Sequence, residues 1–501
     1  MTDAPTADVP STDALPPGVE PLAALIENDV AQWTDEAEVV VVGLGIAGVC
    51  AAIEASEAGA DVLALERSGA PGGTSALSGG IMYLGGGTPV QEACGFADDP
   101  ETMATFLLAA CGPGADEAKV RRYCEDSVAH FHWLVAHGVP FKAEFCDEPN
   151  REPITDAALL YSGGEDTWPF RELAHPAPRG HCPQFPDTAG GFLMTCLLGA
   201  LEQTATRVVN DVRVERLVVG EGGRVVGVAA RQAGRDTFVR ARRGVVLTGG
   251  GFIFNEAMVR YHCPDALRPN AAWRVGTDND DGRVIRVAQG AGANVTRMDE
   301  FECALPIRPP NRLAKALLVN RKGQRYINED TYTGRIGHES LVNQDGDVFL
   351  IVDEHLFTRN YVGMNITWAA ETVDELARDI GVPPEALLQT VEDYNRHAER
   401  GEDPAFHKNP EWVVPLRPPF GAVDLRVDAD AIYAPFTLGG IETDADSRVL
   451  ATSAGAVPGL FAAGRSTAGI AAHGYVSGIS LGDSSYFGRR AGAHAAGEPP
   501  I

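Results

Sequence analysis

A glycine-rich turn early in the chain has the spacing of a dinucleotide-binding motif. Gly43, Gly45 and Gly48 form a GxGxxG pattern directly after the apolar run 38–42, and Glu66 follows 18 residues after Gly48. In this motif the first glycine permits a tight turn, the second lets a pyrophosphate approach a helix N-terminus, and the third lets helix and strand pack closely. The acidic residue accepts hydrogen bonds from a ribose diol. Because strand, turn, helix, strand and acid occur in this order, we expect a dinucleotide site rather than a purely structural glycine turn.

A second segment rich in glycine and hydroxyl groups, residues 69–80, follows the first motif. A nicotinamide cofactor has no need of a second loop here, whereas the ribityl and isoalloxazine parts of an extended FAD require support beyond the pyrophosphate. A flexible surface loop is the alternative, but so many glycines and hydroxyls beside the first motif disfavour it. The segment therefore predicts FAD. Because residues 72–80 contain no histidine, we expect this FAD to be bound non-covalently.

The elements around these motifs predict an α/β fold. The run 38–42 is typical of a strand buried on both faces of a parallel sheet, 49–57 is expected to be a helix, and 61–65 a second strand. Two further apolar runs, 245–247 and 460–464, end at glycines and are expected to return the chain to the first sheet. We therefore expect a Rossmann-like FAD-binding domain that is discontinuous in the chain and carries an inserted α+β domain.

The expected domain boundaries follow from these strands. Residues 1–36 are interpreted as a flexible N-terminal arm plus a lead-in, with regular structure beginning at Ala37. Residues 37–295 and 425–495 are expected to form the FAD-binding domain, and 296–424 the inserted domain. Two amphipathic helices are predicted inside the insertion. Their expected core positions are Val373, Leu376, Ala377, Ile380, Leu387, Leu388, Val391 and Tyr394.

Composition excludes several classes of protein. The 501 residues carry 41 Lys and Arg against 69 Asp and Glu, and a net charge of −28 argues against binding of nucleic acid or anionic membranes. No apolar run approaches the ~18 residues of a membrane helix. The first 30 residues contain six acidic and no basic side chains, unlike a signal peptide. The nine cysteines form no CxxC pair, so we expect no metal site and reduced thiols in a cytoplasmic protein.

Ordered motifs along residues 37–492 resemble those of the fumarate-reductase-type FAD flavoproteins. The motifs are Gly43–Gly48 with Glu66, Gly72–Gly80, Thr248–Gly251, Gly276–Gly282, Arg325–Glu329, Thr437–Ile441 and Phe461–Gly464. The resemblance implies a bilobal protein in which a mobile cap, here residues 296–424, covers the FAD domain and holds the substrate against the flavin. It also implies that the cofactor supplies the redox chemistry while the protein supplies position and charge.

Four positions depart from the dicarboxylate-binding branch of this family. Where that branch has histidine or arginine, this chain has Phe436, Leu305, Tyr475 and Tyr332. Without those cations a dicarboxylate would be buried unpaired, at a cost of several kcal/mol, so the pattern favours an apolar ketone as substrate. The stretch 473–483 most resembles the 3-ketosteroid Δ4-(5α)-dehydrogenases, which carry Tyr-x-Ser at this place, and it lacks the Pro/Gly-rich run of the Δ1-dehydrogenases.

This resemblance implies desaturation next to the ketone of a steroid-like substrate. A proton leaves the carbon alpha to the carbonyl, and a hydride leaves the beta carbon toward flavin N5. We expect Tyr475 to be the base, with Tyr332 and Ser477 assisting, and an exchange of roles between the two tyrosines stays open. Because a phenol with a pKa of ~10 is a poor base, hydrogen-bond donors must favour its phenolate. The backbone N–H groups near 478–481 are expected to stabilise the substrate oxygen or an edge of the flavin.

Three alternatives remain at this point: a 3-ketosteroid Δ1-dehydrogenase, a reductase of another small unsaturated substrate, and a non-catalytic flavoprotein. An external electron acceptor, whose identity the sequence does not indicate, is expected as a partner. The residues expected to contact FAD are Gly43, Gly45, Ile46, Ala47, Gly48, Glu66, Arg67, Gly72, Gly73, Thr74, Ser75, Ser78, Gly79, Gly80, Val212, Thr248, Gly249, Asp278, Gly464, Arg465, Ser480 and Leu481.

Overall fold

The computed structural model describes residues 15–147, 156–308, 310–360, 363–429 and 431–501. Its strands, β1 to β20 in chain order, are Leu25–Ile26, Asp35–Val42, Val62–Leu65, Met82–Tyr83, Leu159–Leu160, Gly180–His181, Arg207–Val209, Val212–Val219, Val225–Gln232, Arg235–Leu247, Val295–Thr296, Phe301–Ala304, Leu317–Asn320, Val348–Asp353, Ile366–Ala370, Phe420–Asp424, Ala434–Thr437, Gly440–Ile441, Arg448–Leu450 and Ala456–Ala462. Its α-helices, α1 to α13, are Ile46–Glu57, Gly73–Leu77, Pro89–Ala93, Pro100–Cys111, Glu117–Ala136, Phe170–Leu173, Gly190–Leu201, Glu256–His262, Arg283–Gly290, Thr333–His338, Val373–Ile380, Pro384–Ala398 and Ile479–Gly497.

The largest sheet within the described residues has nine strands of mixed direction. Its main path runs β1-β8-β9-β10-β2-β3-β7, and β20, with β19 beside it, also pairs with β10. The parallel pairs are β2 with β3, β3 with β7, and β10 with both β2 and β20. An antiparallel meander is formed by β8, β9 and β10. Since β20 lies near the C-terminus, the chain returns to its first sheet at the end, as the apolar run 460–464 predicts.

Helices α1 and α13 pack so closely that only small residues fit between them. A Cβ at Gly488 would overlap the Ala47 carbonyl, and a Cβ at Gly492 would overlap that of Ala51. The contacts advance along both helices in the same direction, so both N-termini point to the same end of the sheet. That end is where β2 and β3 have their carboxyl termini, which is the usual place for a ligand site in an open α/β sheet.

Regular structure begins earlier than the expected Ala37. Val19 is buried, and Leu25 and Ile26 pair in parallel with the edge strand β8. The predicted arm is therefore packed against the rest of the fold from Val19 onward, and its strand β1 covers a sheet edge that would otherwise be unpaired. Residues 1–14 of that arm lie outside the described residues. Helix α1 also begins three residues before the expected start, since Gly45 is its N-cap in an extended conformation.

Residues 296–424, the segment expected to form the cap, contain the antiparallel sheet β13-β14-β16-β15, with α11 and α12 in the same segment. Seven of the eight expected core positions on these two helices are buried. Leu388 is the exception, with 39% of its surface exposed, so its expected place in the core is wrong. The inward face of α12 is defined by Leu387, Val391 and Tyr394 at helical spacing, and Leu388 lies one position off that face.

One strand pairing joins the segment expected to form the cap to the segment expected to form the FAD-binding domain. β12 pairs with β17 in an antiparallel register that sets Glu302 opposite Phe436. Helix α10 packs on β12: a Cβ at Gly337 would overlap the Cys303 carbonyl. Within the described ranges, none of the helices combines the length and the apolar character that a membrane span requires.

Candidate active site

The GxGxxG turn lines a cavity of about 880 Å³ at the carboxyl ends of β2 and β3. The cavity collects the ends of several strands, the N-terminus of α1 and the loop before α9, so distant parts of the sequence meet around it. The lining residues are Val42–Ala47, Leu65–Arg67, Gly73–Ser75, Val212–Val214, Thr248–Gly250, Thr277, Asn279–Asp281, Arg283, Val284, Gly464, Arg465 and Ser484.

The glycines of the motif form a cradle that side chains would fill. Gly43 has φ +93°, a conformation that strains other residues, and a Cβ at Gly48 would overlap the Gly43 carbonyl. A Cβ at Gly45 would lie 3.4 Å from Ser75 Oγ, against the wall of the cavity. The N-cap of α1, Gly45, has no side chain, and Ser75 Oγ accepts a hydrogen bond from the first helical amide, Ile46 N, at 3.1 Å. The positive end of the helix dipole faces the cavity and is available to an anionic pyrophosphate. The turn therefore fits the dinucleotide that the sequence predicts.

Glu66 is held at the end of β3 by two backbone amides. Its Oε2 accepts a hydrogen bond from Leu44 N, and its Oε1 accepts one from Ser68 N, each at 2.8 Å. The side chain is only 7% exposed and lines the cavity. Each carboxylate oxygen keeps a further lone pair, so the fixed carboxylate is suited to accept hydrogen bonds from a ribose diol.

Asp280 joins the segments that surround the cavity. Its Oδ1 accepts hydrogen bonds from Gly251 N at 2.9 Å and from the Arg465 guanidinium at 3.0 Å. Its Oδ2 accepts from Thr277 N at 2.9 Å and from Thr74 Oγ1 at 2.5 Å. Burial by itself would raise the pKa of Asp280, but Arg465 and the hydrogen-bond donors hold that pKa below its ordinary value. The ionised carboxylate thus fixes Arg465 and the second glycine segment against each other.

The expected FAD contacts are distributed between this cavity and a neighbouring one. Gly48 and Gly72 lie outside the lining residues of both cavities, and Gly48 packs behind the turn. Asp278 is also absent from the residues that line either cavity, whereas Asn279 and Asp280 are present. The loop turns the carboxylate of Asp280 inward, so a contact of Asp278 with FAD has no support from this placement.

The neighbouring cavity has a volume of about 1050 Å³, and we call it the second cavity. It shares Thr74, Ser75, Arg465 and Ser484 with the first, so the two form one continuous site. Its lining residues are Thr74, Ser75, Leu77–Ile81, Val275, Tyr332, Phe436, Arg465, Tyr475, Ser477, Gly478, Ser480, Leu481 and Ser484. Arg465 is the only charged side chain among these described lining residues, and it is paired with Asp280.

Tyr475 lies in the second cavity at the N-terminus of α13. Its ring packs edge-on against Phe436, with 5.1 Å between the ring centroids. Its hydroxyl accepts a hydrogen bond from Ser480 N at 3.4 Å. Burial raises the pKa of Tyr475 to about 12, and the hydroxyl and amide of Ser480 only partly offset this effect. The phenol is therefore neutral at ordinary pH and has its own proton available for a group in the cavity.

Tyr332 lies opposite Tyr475, with 6.3 Å between the ring centroids, directly before α10. Its hydroxyl interacts with both the Glu302 carboxyl and Ser477, which have opposite effects on its pKa. Burial, Glu302 and Tyr475 together raise the pKa of Tyr332 well above its ordinary value. The other tyrosine of this segment, Tyr326, instead bonds Ser340 Oγ at 2.7 Å and does not line the second cavity. The three predicted catalytic side chains are thus brought together.

The sequence interpretation missed Glu302 as a member of this group. The signal was present, because Glu302 is an acidic residue inside the otherwise apolar strand Phe301–Ala304. Leu305, which replaces a histidine of the dicarboxylate branch, is fully buried and does not line the second cavity. Ser484, one turn into α13, was also missed and lines both cavities.

Comparison with known proteins gives a consistent set of relatives. The profile of the FAD binding domain family matches residues 38–481. The crystal structure of a 3-ketosteroid-delta4-(5alpha)-dehydrogenase from Rhodococcus jostii RHA1, in complex with 4-androstene-3,17-dione, is 49% identical with a TM-score of 0.91. That match covers 95% of this chain and 99% of the other.

Two further relatives show how far the similarity extends. A 3-oxo-5-alpha-steroid 4-dehydrogenase of Comamonas testosteroni is 28% identical over 500 residues, covering 87% of this chain and 94% of the relative. A probable fumarate reductase of Shewanella frigidimarina is 27% identical over 477 residues, covering 92% of this chain and 75% of the relative. The similarity to each extends over nearly the whole folded chain.

Proposed function

Because this chain belongs to the FAD binding domain family, in its fumarate-reductase-type branch, we propose that it is an FAD-dependent dehydrogenase of 3-keto-5α-steroids that forms the 4-ene. The observation that carries the proposal is the lining of the second cavity. Tyr332, Tyr475 and Ser477 bring three hydroxyls to one place, Phe436 supplies an apolar wall, and Arg465 is already paired. Such a cavity suits a flat apolar molecule with a carbonyl that lies among the three hydroxyls.

The reaction removes two hydrogens from neighbouring carbons, one as a proton and one as a hydride. When bound, FAD supplies the two-electron oxidation that takes up the hydride. The protein must lower the cost of removing the proton from the carbon alpha to the ketone, because that proton is only weakly acidic. It does so by stabilising the enolate oxygen and by giving the proton a place to go.

Tyr475 is suited to stabilise the enolate oxygen. Because its oxygen accepts the Ser480 amide hydrogen bond, its hydroxyl proton is free to point into the second cavity. A neutral phenol at a helix N-terminus is a strong donor to a developing oxyanion. We therefore propose the exchange of roles that the sequence leaves open, with Tyr475 as the donor to the ketone.

Ser477 and Tyr332 are suited to take the proton. Both side chains line the second cavity and their hydroxyls interact, so a proton that reaches Ser477 can pass to Tyr332. A serine hydroxyl by itself is a weak base, and it becomes effective when its own proton has a partner to move to. The pair therefore provides the general base, and the direction of transfer is away from the cavity.

Reduction of a dicarboxylate is the alternative that the cavity disfavours. Each carboxylate of such a substrate would require a cation or several donors in the low-dielectric interior. Arg465 is the one cation among the described lining residues, and its guanidinium is committed to Asp280.

A cytoplasmic location and transfer of electrons to an external acceptor remain predictions of the sequence and complete the proposal.

Anaerobic spectroscopy of the FAD-loaded protein tests the function. A saturated 3-keto-5α-steroid is expected to bleach the flavin absorption, whereas the matching 3-hydroxy steroid and succinate are expected to leave it unchanged. The 3-hydroxy steroid has the same shape and lacks only the carbonyl that Tyr475 addresses. Bleaching by succinate, or an unchanged spectrum with every ketosteroid of a panel, would contradict the proposal.

A further inference from the structure

Glu302 is an acidic side chain in the middle of a buried strand. It lies on β12 between Phe301 and Cys303 and is 3% exposed. The antiparallel register sets it opposite Phe436, and residues that face each other in such a pair project to the same side of the sheet. Since Phe436 is a wall of the second cavity, Glu302 also projects toward that site from behind the first layer of side chains.

The position of Gly334 keeps space open for this carboxyl. A Cβ at Gly334 would overlap both the Glu302 carboxyl and the Tyr332 ring. The carboxyl lies beside Tyr332 and interacts with its hydroxyl, and its Oε1 has no hydrogen-bond partner among the described residues. A buried acid with an unused oxygen is costly to maintain, so a purely structural role does not account for it.

Among the described residues, no cation compensates the charge of Glu302. The titratable groups that face it are Tyr332, Tyr475, Cys303 and Cys111, none of which carries positive charge. Burial accordingly raises the pKa of Glu302 to about 8. Tyr332 and Tyr475 titrate far higher, so Glu302 is the member of this group whose proton affinity lies nearest to neutral.

We propose that Glu302 is the acceptor at the inner end of a proton relay that runs from the substrate through Ser477 and Tyr332. In this step the bond between the alpha carbon and its hydrogen breaks, and its electron pair stays on the substrate as the enolate. The proton goes to Ser477 Oγ, Ser477 gives its hydroxyl proton to Tyr332, and Tyr332 gives its own to the Glu302 carboxylate. Glu302 loses the proton to water before the next turnover.

This inference rests on the proposed function and deepens it. Glu302 touches neither substrate nor cofactor and acts through Tyr332, so it is a positioning residue whose part in the step is to accept the Tyr332 proton. Its signature is therefore a pH dependence rather than a binding constant. Because only the ionised carboxylate accepts the proton, turnover is expected to rise with pH as Glu302 ionises.

The test compares FAD-loaded wild-type protein with Glu302→Gln and Glu302→Asp. Wild-type kcat is expected to rise between pH 6 and 9 with an apparent pKa near 8. Glu302→Gln preserves the shape and the contact with Tyr332 but cannot take a proton, so its kcat is expected to fall by roughly 10- to 100-fold and lose the rise with pH. Its KM is expected to stay within about twofold of wild type. Glu302→Asp retains a carboxyl and is expected to recover the pH-dependent limb in part.

Glu165→Gln is the matched control, because Glu165 is another fully buried carboxyl with a raised pKa, and it contacts Gly163 N rather than Tyr332. This variant is expected to keep the wild-type kcat and its pH profile. Infrared difference spectra between pH 6 and 9, recorded without steroid, supply a readout independent of turnover. They are expected to show loss of protonated carboxyl bands from both Glu165 and Glu302, whose pKa values are raised to about 7 and about 8. The loss centred near pH 8 is expected to be missing in Glu302→Gln and present in Glu165→Gln.

The outcomes separate the inference from the function beneath it. If ketosteroids fail to reduce the wild-type flavin at any pH, the proposed function fails, and the relay fails with it. If wild type is reduced but Glu302→Gln keeps its kcat and its pH limb, only the relay is wrong. An equal loss of kcat in Glu165→Gln would also contradict the relay, because the effect would then be common to buried carboxyls.

Discussion

Replacement of Glu302 by glutamine is expected to change how stability depends on pH. The pKa of Glu302 rises from an ordinary 4.5 to about 8 in the folded chain because the side chain is buried without a cation. Between these two values the folded protein retains a proton that the unfolded chain has lost. This contribution to stability is complete below pH 4.5 and is lost as pH rises through 8.

The magnitude follows from the size of the pKa shift. Each unit corresponds to about 1.4 kcal/mol, so the whole shift corresponds to about 5 kcal/mol in the free energy of unfolding. Relaxation of the buried site reduces this, and we expect about 2 to 5 kcal/mol between pH 5 and pH 9. Glutamine does not titrate, so Glu302→Gln is expected to gain stability over wild type by this amount as pH rises.

Urea unfolding at pH 5, 7 and 9, followed by tryptophan fluorescence, measures the effect. The difference in unfolding free energy between wild type and variant cancels the pH-dependent contributions of the other buried carboxyls. Examples are Asp166 and Asp483, whose pKa values are each raised to about 6. Glu165→Gln is the comparison, because burial raises the pKa of Glu165 to about 7. The pH-dependent difference in unfolding free energy between wild type and Glu165→Gln is therefore expected to level off about one pH unit lower than for Glu302→Gln. Parallel stability curves for wild type and Glu302→Gln would refute the assignment of a raised pKa to this carboxyl.

Three further predictions concern the site and the cofactor. Tyr475→Phe removes one hydroxyl from a ring that still packs on Phe436, so FAD content and steroid binding are expected to persist. Turnover is expected to fall on the order of 10²-fold or more. A near wild-type rate would remove Tyr475 from the mechanism. Acid precipitation is expected to release all yellow colour into the supernatant, because residues 72–80 contain no histidine, and colour in the pellet would contradict non-covalent binding. Bound steroid is expected to protect the borders of the cap, near residues 296 and 424, from protease; equal cleavage with and without steroid would speak against closure of the cap.

The family and the cofactor were predictable because their signals are local. The turn requires glycine for steric reasons at Gly43 and Gly48, and the apolar runs beside it are typical of buried strands. The match of the FAD binding domain family to residues 38–481 confirms the prediction of FAD and of an α/β fold. The tyrosines could be placed by resemblance, since Tyr475 and Ser477 precede a helix whose position is fixed by its packing on α1.

The remaining features depend on contacts that the sequence does not display. The sequence predicts a contact of Asp278 with FAD, but the path of one loop turns the carboxylate of Asp280 toward the cavity instead. Leu388 is exposed although its neighbour Leu387 is buried, because the two lie one position apart on the helix. The contact between Glu302 and Tyr332 joins residues thirty positions apart through the packing of α10 on β12. Periodicity describes which face of an element is apolar, but it does not show which side chains meet across two elements.

The position of the new double bond tests the central claim most directly. Anaerobic incubation of the FAD-loaded protein with a saturated 3-keto-5α-steroid, followed by mass spectrometry and NMR of the product, identifies the two carbons that lost hydrogen. We predict a 4-ene-3-ketosteroid, formed in an amount equal to the flavin reduced. A 1-ene product would assign the chain to Δ1 desaturation, and an unchanged steroid beside turnover of fumarate or succinate would contradict the account.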